Sequence, residues 1–279
     1  MKITFLIMLV ISLIIIPANL SAHQPKIAES QNMDITNPEV SKVYYSQLAG
    51  KPNTYTILSS SPFRLYVNVL VPDVAGQTKD VTANIYKDGQ LVAKLSAPSG
   101  EWQRFYEPFG ADNYWMGPEY ELNQVSGNYK IVVSSPSNNS KYALAIGKVE
   151  SVNLAESISA INTIPKVKSE FFNTSPATFL KSPLSWAYIG IMYLLAGVSA
   201  FGYRAVLRRI TTNKNRQRIK NIGSKDRWLR IAIGLVLLIW AITTSWSPFL
   251  LFFSGFAFCE ALFSWCGFYA ALVKNTCPL

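Results

Sequence analysis

The pattern of hydrophobic and polar positions divides the chain into three regions. Residues 3–16 form an unbroken apolar run. From Val43 to Glu150, short β-type runs alternate with turn signals, and Phe63–Val69 alternates apolar with mostly polar residues, the period of a half-buried strand. Beyond Pro183, apolar runs of helical length replace the short ones. The pattern predicts a mixed fold: an all-β antiparallel sandwich plus three transmembrane α-helices.

Residues 1–22 have the parts of a secretory signal peptide. Lys2 is basic, and Ser21-Ala22 supplies small residues before a cleavage point. The apolar run between them has about 14 residues, fewer than the roughly 20 that span a bilayer. We predict cleavage after Ala22, with an uncleaved N-terminal anchor as the alternative. Residues 23–42 are polar and are predicted to form a flexible leader.

Residues 43–150 are predicted to form an exported β-sandwich in the periplasm. Asp88-Gly89 separates two β-type runs and favours the type I′ turn of a tight hairpin. Several short strands at this spacing are typical of an immunoglobulin-like or jelly-roll sandwich. The candidate strands are Val43–Leu48, Thr54–Ser59, Phe63–Val71, Val81–Lys87, Gln90–Ser96, Trp102–Tyr106, Asn128–Ser134 and Tyr142–Val149.

Seven aromatic residues fall within residues 102–120, mixed with acidic side chains. Rings offer flat apolar faces and carboxylates accept hydrogen bonds, so this segment is a candidate binding platform for a glycan or a peptide. Large rings are usually buried, so packing in the core or under a loop is the favoured alternative. The acids do not have calcium-loop spacing, and we predict neither a metal nor a cofactor. The ligand-binding candidates are Trp102, Tyr106, Tyr114, Trp115 and Tyr120.

Residues 151–182 are predicted to be a juxtamembrane helical segment. Apolar residues recur at roughly helical spacing from Ile158 to Phe172, around Pro165. Two placements fit this pattern: an amphipathic segment at the outer membrane surface, or a helix packed on the sandwich.

Three apolar runs beyond residue 182 predict membrane helices. The first, over residues 184–207, starts with 20 uncharged residues and has Trp186 at its outer end. A basic cytoplasmic loop is predicted over residues 208–227. Residues 228–279 are predicted to form a transmembrane hairpin, broken at Ser247-Pro248, with a cytoplasmic tail.

Charge is distributed unevenly between these regions. Residues 23–182 carry 14 Lys and Arg against 14 Asp and Glu, whereas residues 183–279 carry 11 basic residues and 2 acidic ones. Ten of the 11 lie from Arg204 to Arg230, between apolar runs. Such a cluster indicates the cytoplasmic side of a membrane, with anionic lipid as a neighbour, and not a nucleic-acid site. We therefore predict a multi-pass protein of the bacterial inner membrane, with a periplasmic β-domain and a cytoplasmic C-terminus.

The two ends of the hairpin carry recognisable residues. Asn221-Ile222-Gly223, Asp226-Arg227, Arg230 and Gly234 open it, and Cys266 with Asn275-Thr276-Cys277 closes it. Over roughly residues 219–278, about a fifth of the chain, this pattern resembles the YgaP-like inner-membrane transmembrane domain family. The resemblance implies a membrane hairpin and no defined activity. Some family members carry a rhodanese domain, which this chain lacks, and Gly267 and Phe268 replace the family's proline and leucine.

Several hairpin residues invite individual predictions. Asp226 and Arg230 are one helical turn apart, which predicts an ion pair worth ~0.3–0.5 kcal/mol if exposed. Asp226, Arg227 and Arg230 mark the topology and the start of the hairpin. Glu260, the one acid in the apolar stretch, is expected to face a partner or a water-filled path.

The cysteines lie near the C-terminus. Cys259 and Cys266 are seven residues apart, which predicts that they share one face of the third membrane helix. Cys266 and Cys277 are candidates for thiol chemistry on the cytoplasmic side. Helix packing is the alternative for both, and for Cys259 it is favoured.

The leading functional hypothesis is a membrane-anchored periplasmic binding or assembly module that is not an enzyme. The chain has one histidine, His23, which argues against a serine or cysteine triad, and no motif of known hydrolases appears. The alternative is a thiol redox or sulfur-carrier membrane protein that acts through Cys266 and Cys277. The expected partners are the lipid bilayer, a periplasmic glycan or protein, and a second copy of the chain, but not nucleic acid.

Overall fold

The computed structural model describes residues 23–151, 154–210 and 220–277. The predicted signal peptide lies outside these residues, as do positions 211–219 of the predicted basic loop. The chain divides into two compact units at Ser182, one rich in β-strands and the other, from Pro183 onward, helical. Each unit is described by itself below.

Two mixed β-sheets form the first unit. The six-stranded sheet has the order β1-β3-β11-β5-β9-β8, and the five-stranded sheet has the order β2-β4-β10-β6-β7. The strands are β1 (Gln24–Ile27), β2 (Asn32–Asp34), β3 (Lys42–Gln47), β4 (Asn53–Ser59), β5 (Phe63–Pro72), β6 (Thr82–Lys87), β7 (Gln90–Leu95), β8 (Gln103–Glu107), β9 (Asp112–Gln124), β10 (Gly127–Ser134) and β11 (Lys141–Ile146).

One apolar core lies between the two sheets. Alternate residues of each strand point into it, because successive side chains of a strand face opposite sides of the sheet. From the five-stranded sheet come Tyr55 and Ile131, and from the six-stranded sheet come Val67 and Leu144, all with no exposed surface. The β-rich domain that the hydrophobic pattern predicts is therefore confirmed.

The β6–β7 hairpin forms at the predicted turn. Lys87 pairs with Gln90, and both Asp88 (φ 47°) and Gly89 (φ 85°) have the positive φ that a type I′ turn requires. Local chemistry was sufficient here because the turn type depends on two adjacent residues.

The segment predicted as a flexible leader, residues 23–42, contributes two strands instead. β1 pairs with β3 and β2 pairs with β4, both in parallel. The prediction of a purely antiparallel sandwich is therefore wrong, since both sheets are mixed. Backbone bonds tie β1 at both ends, from Gln24 N to Ser41 O (3.0 Å) and from Ala28 N to Tyr45 O (2.9 Å). Short edge strands of this kind are held by backbone pairing, which needs no apolar alternation in the sequence.

The sequence predicts no strand between residues 106 and 128, yet Asp112–Gln124 is the longest strand that the structure describes. β9 pairs with β5 over most of its length and with β8 near its start. Its register shifts between Asn68 and Leu70, where Gly117-Pro118 interrupts the pairing. Proline and glycine hid this strand, since both are typical of turns.

A helical cover packs on the outer face of the six-stranded sheet. It consists of α1 (Leu154–Lys166), a π-helix (Val167–Phe171) and a 3-10 helix (Pro176–Lys181). The π-helix follows Pro165, which has no N–H to donate and disturbs regular α-helical bonding. Val167, Phe171 and Phe172 pack against strand residues in a second apolar cluster. Of the two predicted placements, the structure has the helix on the sandwich.

This cover explains why β5 is buried on both faces. The sequence predicts a half-buried strand, but only Arg64 among its ten residues is exposed. Leu65 and Val67 face the core between the sheets, while Tyr66 and Leu70 face the helical cover. The correction follows from tertiary packing, because the second face is covered by Val167 and Phe171, which are far from β5 in the chain.

The second unit contains four helices in its described residues. They are α2 (Pro183–Ile210), α3 (Ser224–Thr243), α4 (Pro248–Phe263) and α5 (Gly267–Ala271). Among the described residues, α2, with 28 residues, is the one helix that is long and apolar enough to cross a membrane. α4 is apolar but has 16 residues, so three spanning helices are not established.

Two hydroxyl groups link the long helices of this unit. Tyr193 in α2 and Ser254 in α4 share a hydrogen bond of 2.9 Å between their hydroxyl oxygens. The Ser254 hydroxyl also donates to the Gly234 carbonyl of α3 (2.8 Å). Because these two hydroxyl groups satisfy each other, they allow the three helices to pack closely at this point.

Candidate functional site: an aromatic cavity and a locked hairpin

A cavity of about 200 Å³ lies between the six-stranded sheet and the helical cover. Small side chains create the space, because Ala143 and Ala145 at the centre of β11 fill little of the volume below Ile164 and Val167. Large apolar side chains from four neighbouring strands form the walls. They are Tyr45, Tyr66, Leu70, Phe105, Tyr114 and Met116, with Phe109 from the turn after β8.

Two tyrosines place their hydroxyl groups together at this cavity. The hydroxyl oxygens of Tyr45 and Tyr114 are 3.0 Å apart. Burial is the main cause that raises the pKa of both phenols. The ring of Tyr45 packs edge-on against Phe171, and that of Tyr114 packs edge-on against Phe172, each at 5.1 Å between centroids. The cover therefore holds both rings in fixed positions.

Glu107 brings a carboxylate to the same cavity. It is the last residue of β8, and its two oxygens accept hydrogen bonds from Phe109 N (2.7 Å) and Gly110 N (2.5 Å). Burial raises the pKa of Glu107, while the two backbone donors act in the opposite direction. The carboxylate is thus oriented by the tight turn between β8 and β9.

Asp112 lies next to Glu107 and belongs to a buried ion pair. Its Oδ1 is 2.6 Å from Nζ of Lys168, whose side chain has 0% exposed surface, against 10% for Asp112. Burial raises the pKa of Asp112 and lowers that of Lys168, and the attraction between the two charges opposes both shifts. Lys168 also donates to the Ala111 carbonyl (3.3 Å), so the π-helix is fastened to the start of β9.

His23 also lines the cavity. Its Nδ1 makes a hydrogen bond with the Ser41 hydroxyl. Burial lowers the pKa of His23, so the imidazole is neutral at pH 7. Within the residues that the structure describes, no group of three or more His, Cys, Asp or Glu side chains is arranged to hold a metal ion.

The five predicted aromatic candidates do not form one platform. Trp102 is buried in the core between the sheets, and Tyr114 is buried on the opposite side of the sheet, at the cavity. Trp115 and Tyr120 pack against the inter-sheet core, whereas Tyr106 is 51% exposed. Alternate residues of a strand point to opposite faces, so neighbours in sequence are separated in space.

Of those candidates, Tyr114 alone lines the cavity. Sequence reasoning missed Tyr45 and Phe105 as site residues, and it considered the acids of residues 102–120, Glu107 among them, only together, as hydrogen-bond acceptors or metal ligands. The outward positions of β3 and β5 carried a signal, since Tyr45, Tyr66 and Leu70 are apolar where a half-exposed sheet would be polar.

Asn221 joins the two ends of the helical hairpin formed by α3 and α4. Its side chain donates from Nδ2 to Cys266 O (2.9 Å) and accepts at Oδ1 from Cys266 N (2.7 Å). Its backbone N donates to Ser264 O (3.0 Å), and its carbonyl accepts from Thr276 N (3.2 Å). One buried asparagine therefore satisfies polar backbone groups at the break between α4 and α5.

Gly223 and Thr276 make the second part of this connection. Gly223 N donates to Thr276 Oγ1 (3.0 Å), and that hydroxyl donates to Asp226. A Cβ at position 223 would lie 2.1 Å from Thr276 O, so only glycine fits there. Arg227 Nε donates to Ala261 O (2.9 Å). The residues that carry the family resemblance are thus mostly structural.

Arg230 pairs with Glu260 and not with Asp226 as predicted. Arg230 Nη1 is 2.6 Å from Glu260 Oε2, and the two side chains are 18% and 5% exposed. The guanidinium also lies 5.1 Å from the Tyr269 ring centroid. A buried acid needs a compensating charge, whereas Asp226 already accepts a hydrogen bond from Thr276. The expected partner of Glu260 is therefore Arg230.

All three cysteines are free thiols. Cys259 lies in α4, but Ser264 has a left-handed conformation (φ 54°) that ends this helix, so Cys266 precedes α5 and does not share a helix face with Cys259. Cys266 is 2% exposed, while Cys277 is partly exposed. Burial of Cys266 disfavours chemistry with a soluble partner.

Residues 218–279 match the family model described as "Inner membrane protein YgaP-like, transmembrane domain". The match confirms the resemblance found in the sequence and supports membrane association of the C-terminal unit. The matched residues include both Asn221 and Cys266, which are joined by hydrogen bonds. No curated protein matches the chain in sequence.

Solved structures give low similarities. The pre-peptidase C-terminal domain of a Bacillus anthracis collagenase has a TM-score of 0.25 and 11% identity, covering 45% of this chain and 95% of that domain. The CBM35 of Abf62 from Cellvibrio japonicus has a TM-score of 0.23 and 16% identity, covering 37% and 70%. The CBM36-1 domain of a xylanase from the Trinervitermes trinervoides hindgut metagenome has 0.20 and 15%, covering 38% and 77%. At these TM-scores no ligand is inferred from the similarity.

Proposed function

We propose that the protein is a membrane-anchored binding protein whose β-rich unit takes up a small molecule outside the cytoplasm. The observation that carries this proposal is the cavity beneath the helical cover, with apolar walls and a few converging polar groups, the usual makeup of a ligand site. A volume of about 200 Å³ suits a small organic molecule or one group of a larger one. This site replaces the predicted glycan or peptide platform as the first place to look for a ligand.

The C-terminal unit is proposed to be the anchor, with α2, α3 and α4 as three spans. α3 has 20 residues, and the 13 residues after Arg230, which carry no charge, reach roughly 20 Å at about 1.5 Å per residue, so its charged first turns are proposed to lie at the membrane surface. α4 has 16 residues. A short break, whose backbone groups bond to Asn221, separates it from α5, which continues the segment. Side chains on the faces of α3, such as Val236 and Ile239, are exposed to their surroundings, as lipid-facing residues are.

The orientation follows from the basic residues between Arg204 and Arg230, which favour the cytoplasmic side. The proposal therefore puts the β-rich unit in the periplasm, and the C-terminus in the cytoplasm, of a bacterial inner membrane. Cysteine-free protein with Lys94→Cys or Lys225→Cys tests it in spheroplasts, because both lysines are exposed. A membrane-impermeant maleimide is expected to label position 94 in intact spheroplasts and position 225 only after lysis; the reverse pattern contradicts the orientation.

Binding is tested with purified full-length protein and a panel of small molecules, read by thermal shift and calorimetry. Ala145→Leu fills the floor of the cavity and is expected to abolish the response to a bound compound. Ala155→Leu, at an exposed position of α1, is the matched control and should respond like the wild type. If every compound that binds the wild type also binds Ala145→Leu and Ala155→Leu equally well, the cavity has no role in binding.

The thiol function and the homo-oligomer stay predictions. For the thiol function, alkylation of inverted vesicles compares Cys266 with Cys277. The thiol function is contradicted if neither cysteine is alkylated and if a variant lacking both thiols is indistinguishable from the wild type.

A further inference from the structure

Among the residues that the structure describes, no ammonium or guanidinium group lies over four of the aromatic rings that line the cavity. Tyr45, Phe105, Phe109 and Tyr114 all line it. The fifth ring, that of Tyr66, already has a cation over it, because Nζ of Lys148 lies 4.2 Å from the ring centroid. The same Nζ is 2.7 Å from Glu121 Oε2. Aromatic rings attract cations through their negative faces, and the remaining four rings line one cavity.

The charges around the cavity leave an excess of negative charge. Glu107 and Asp112 both line it, whereas the single ammonium group of Lys168 pairs with Asp112 at 2.6 Å and acts on Glu107 only at longer range. His23 is neutral at pH 7, as shown above. Lys181 acts on Asp112 from an exposed position, which weakens its effect through solvent.

Glu107 is the carboxylate left without a cationic partner at hydrogen-bonding distance among the described residues. Backbone N–H groups orient both of its oxygens, but each oxygen has a lone pair to spare. Asp112 and Glu107 flank Gly110, where a Cβ would lie 2.9 Å from Asp112 Oδ2 and 3.1 Å from Glu107 Oε2. A ligand cation in this cavity would offset the cost of holding two neighbouring carboxylates out of water.

We propose that the cavity binds a small organic cation of the ammonium class, with Tyr45, Phe105, Phe109 and Tyr114 around the cation and Glu107 as its counter-charge. This inference rests on the proposed small-molecule function and names its ligand class. Apolar walls exclude hard metal ions, which need several oxygen ligands.

The test uses full-length protein in nanodiscs and isothermal titration calorimetry with choline. Its neutral isostere, 3,3-dimethyl-1-butanol, has the same shape without the charge and is expected to bind at least about tenfold more weakly. Glycerophosphocholine, titrated separately, distinguishes a lipid headgroup from a free cation. The wild-type comparison does not depend on the folding of any variant.

Matched variants assign the effect to the cavity. Tyr45→Leu removes a ring and is expected to weaken choline binding about tenfold, while Tyr45→Phe keeps the ring and restores it. Tyr86→Leu, in the five-stranded sheet, is the control. Glu107→Gln should weaken binding similarly, and Glu101→Gln, at an exposed position, should not.

The outcomes separate the ligand class from the function. If the neutral isostere binds within threefold of choline (on the order of the error of the comparison), the cation proposal is overturned but the cavity remains a ligand site. If choline fails while other compounds bind in an Ala145→Leu-sensitive manner, the ligand class alone is wrong. If no compound of any class binds in that manner, both proposals fail.

Discussion

Replacing Lys168 by methionine removes the ammonium group that faces Asp112 inside the β-rich unit. Methionine keeps most of the apolar stem, so the loss is mainly electrostatic. Removing one partner of a buried ion pair typically costs about 3–5 kcal/mol. Since the Lys168 side chain is 0% exposed and Asp112 is 10% exposed, water is not at hand to replace the missing charge.

Protonation of Asp112 sets a ceiling on this cost. Neutralising a carboxyl group with an ordinary pKa of about 3.9 at pH 7 costs about 1.36 kcal/mol per pH unit, or about 4 kcal/mol in total. In the variant, the pKa of Asp112 in the folded state lies further above its unfolded value. The folded state then binds the proton more tightly, so stability is highest at low pH and falls as pH rises through the folded pKa. The penalty should therefore be about 4 kcal/mol at pH 7 and about 1 kcal/mol or less at pH 4.

The assay is urea unfolding of a fragment spanning residues 23–182 at both pH values. With a slope of about 2 kcal/mol per molar urea, the midpoint should fall by about 2 M at pH 7. Lys166→Met, at an exposed position of α1, is the matched control and should stay near the wild type. Lys168→Met with Asp112→Asn should recover most of the loss. A midpoint unchanged at pH 7, or lowered equally at both pH values, would refute the reasoning.

Three predictions concern the hairpin, measured by thermal unfolding in detergent unless stated. Gly223→Ala should lower the melting temperature by several degrees, because its Cβ would lie 2.1 Å from a carbonyl oxygen of the C-terminal segment. Glu260→Gln should cost about 3 kcal/mol, because it leaves Arg230 without its carboxylate at a site 18% exposed. Asn221→Ala removes two hydrogen bonds to Cys266 and should speed alkylation of that thiol. Gly202→Ala, inside α2 where a Cβ meets nothing within 4 Å, is the control for Gly223→Ala and should not lower the melting temperature, because alanine is the better helix former. Replacing both Arg230 and Glu260 by methionine should recover the stability that Glu260→Gln loses. An unchanged rate of Cys266 alkylation in Asn221→Ala would contradict the last prediction.

The cavity shows how far pattern reasoning reaches. The clustering of rings and acids in residues 102–120 correctly indicated a segment that contributes to the cavity. Of the five aromatic candidates within it, however, Tyr114 alone lines the cavity. Periodicity gives the face of each residue only after the strand is recognised, and Gly117-Pro118 concealed β9. The cover over the cavity comes from α1 and the π-helix, which no local signal assigns to a particular sheet face.

The hairpin shows the same boundary between local and tertiary information. The sequence paired Arg230 with Asp226, four residues away, because i,i+4 neighbours meet on any helix surface. The fold pairs Arg230 with Glu260, 30 residues away, because a buried acid gains more from a countercharge than an exposed one does.

By itself, the sequence determined the features that depend on neighbouring residues. These are the Asp88-Gly89 turn, the β-type runs of the first unit, the long apolar helix from Pro183 and the family pattern from Asn221 onward. Only the tertiary structure decided which strands lie side by side, which face of the six-stranded sheet the helical cover occupies, and where a cavity remains. Those features depend on backbone pairing and volume filling between residues far apart in the chain, which leave no period in the sequence.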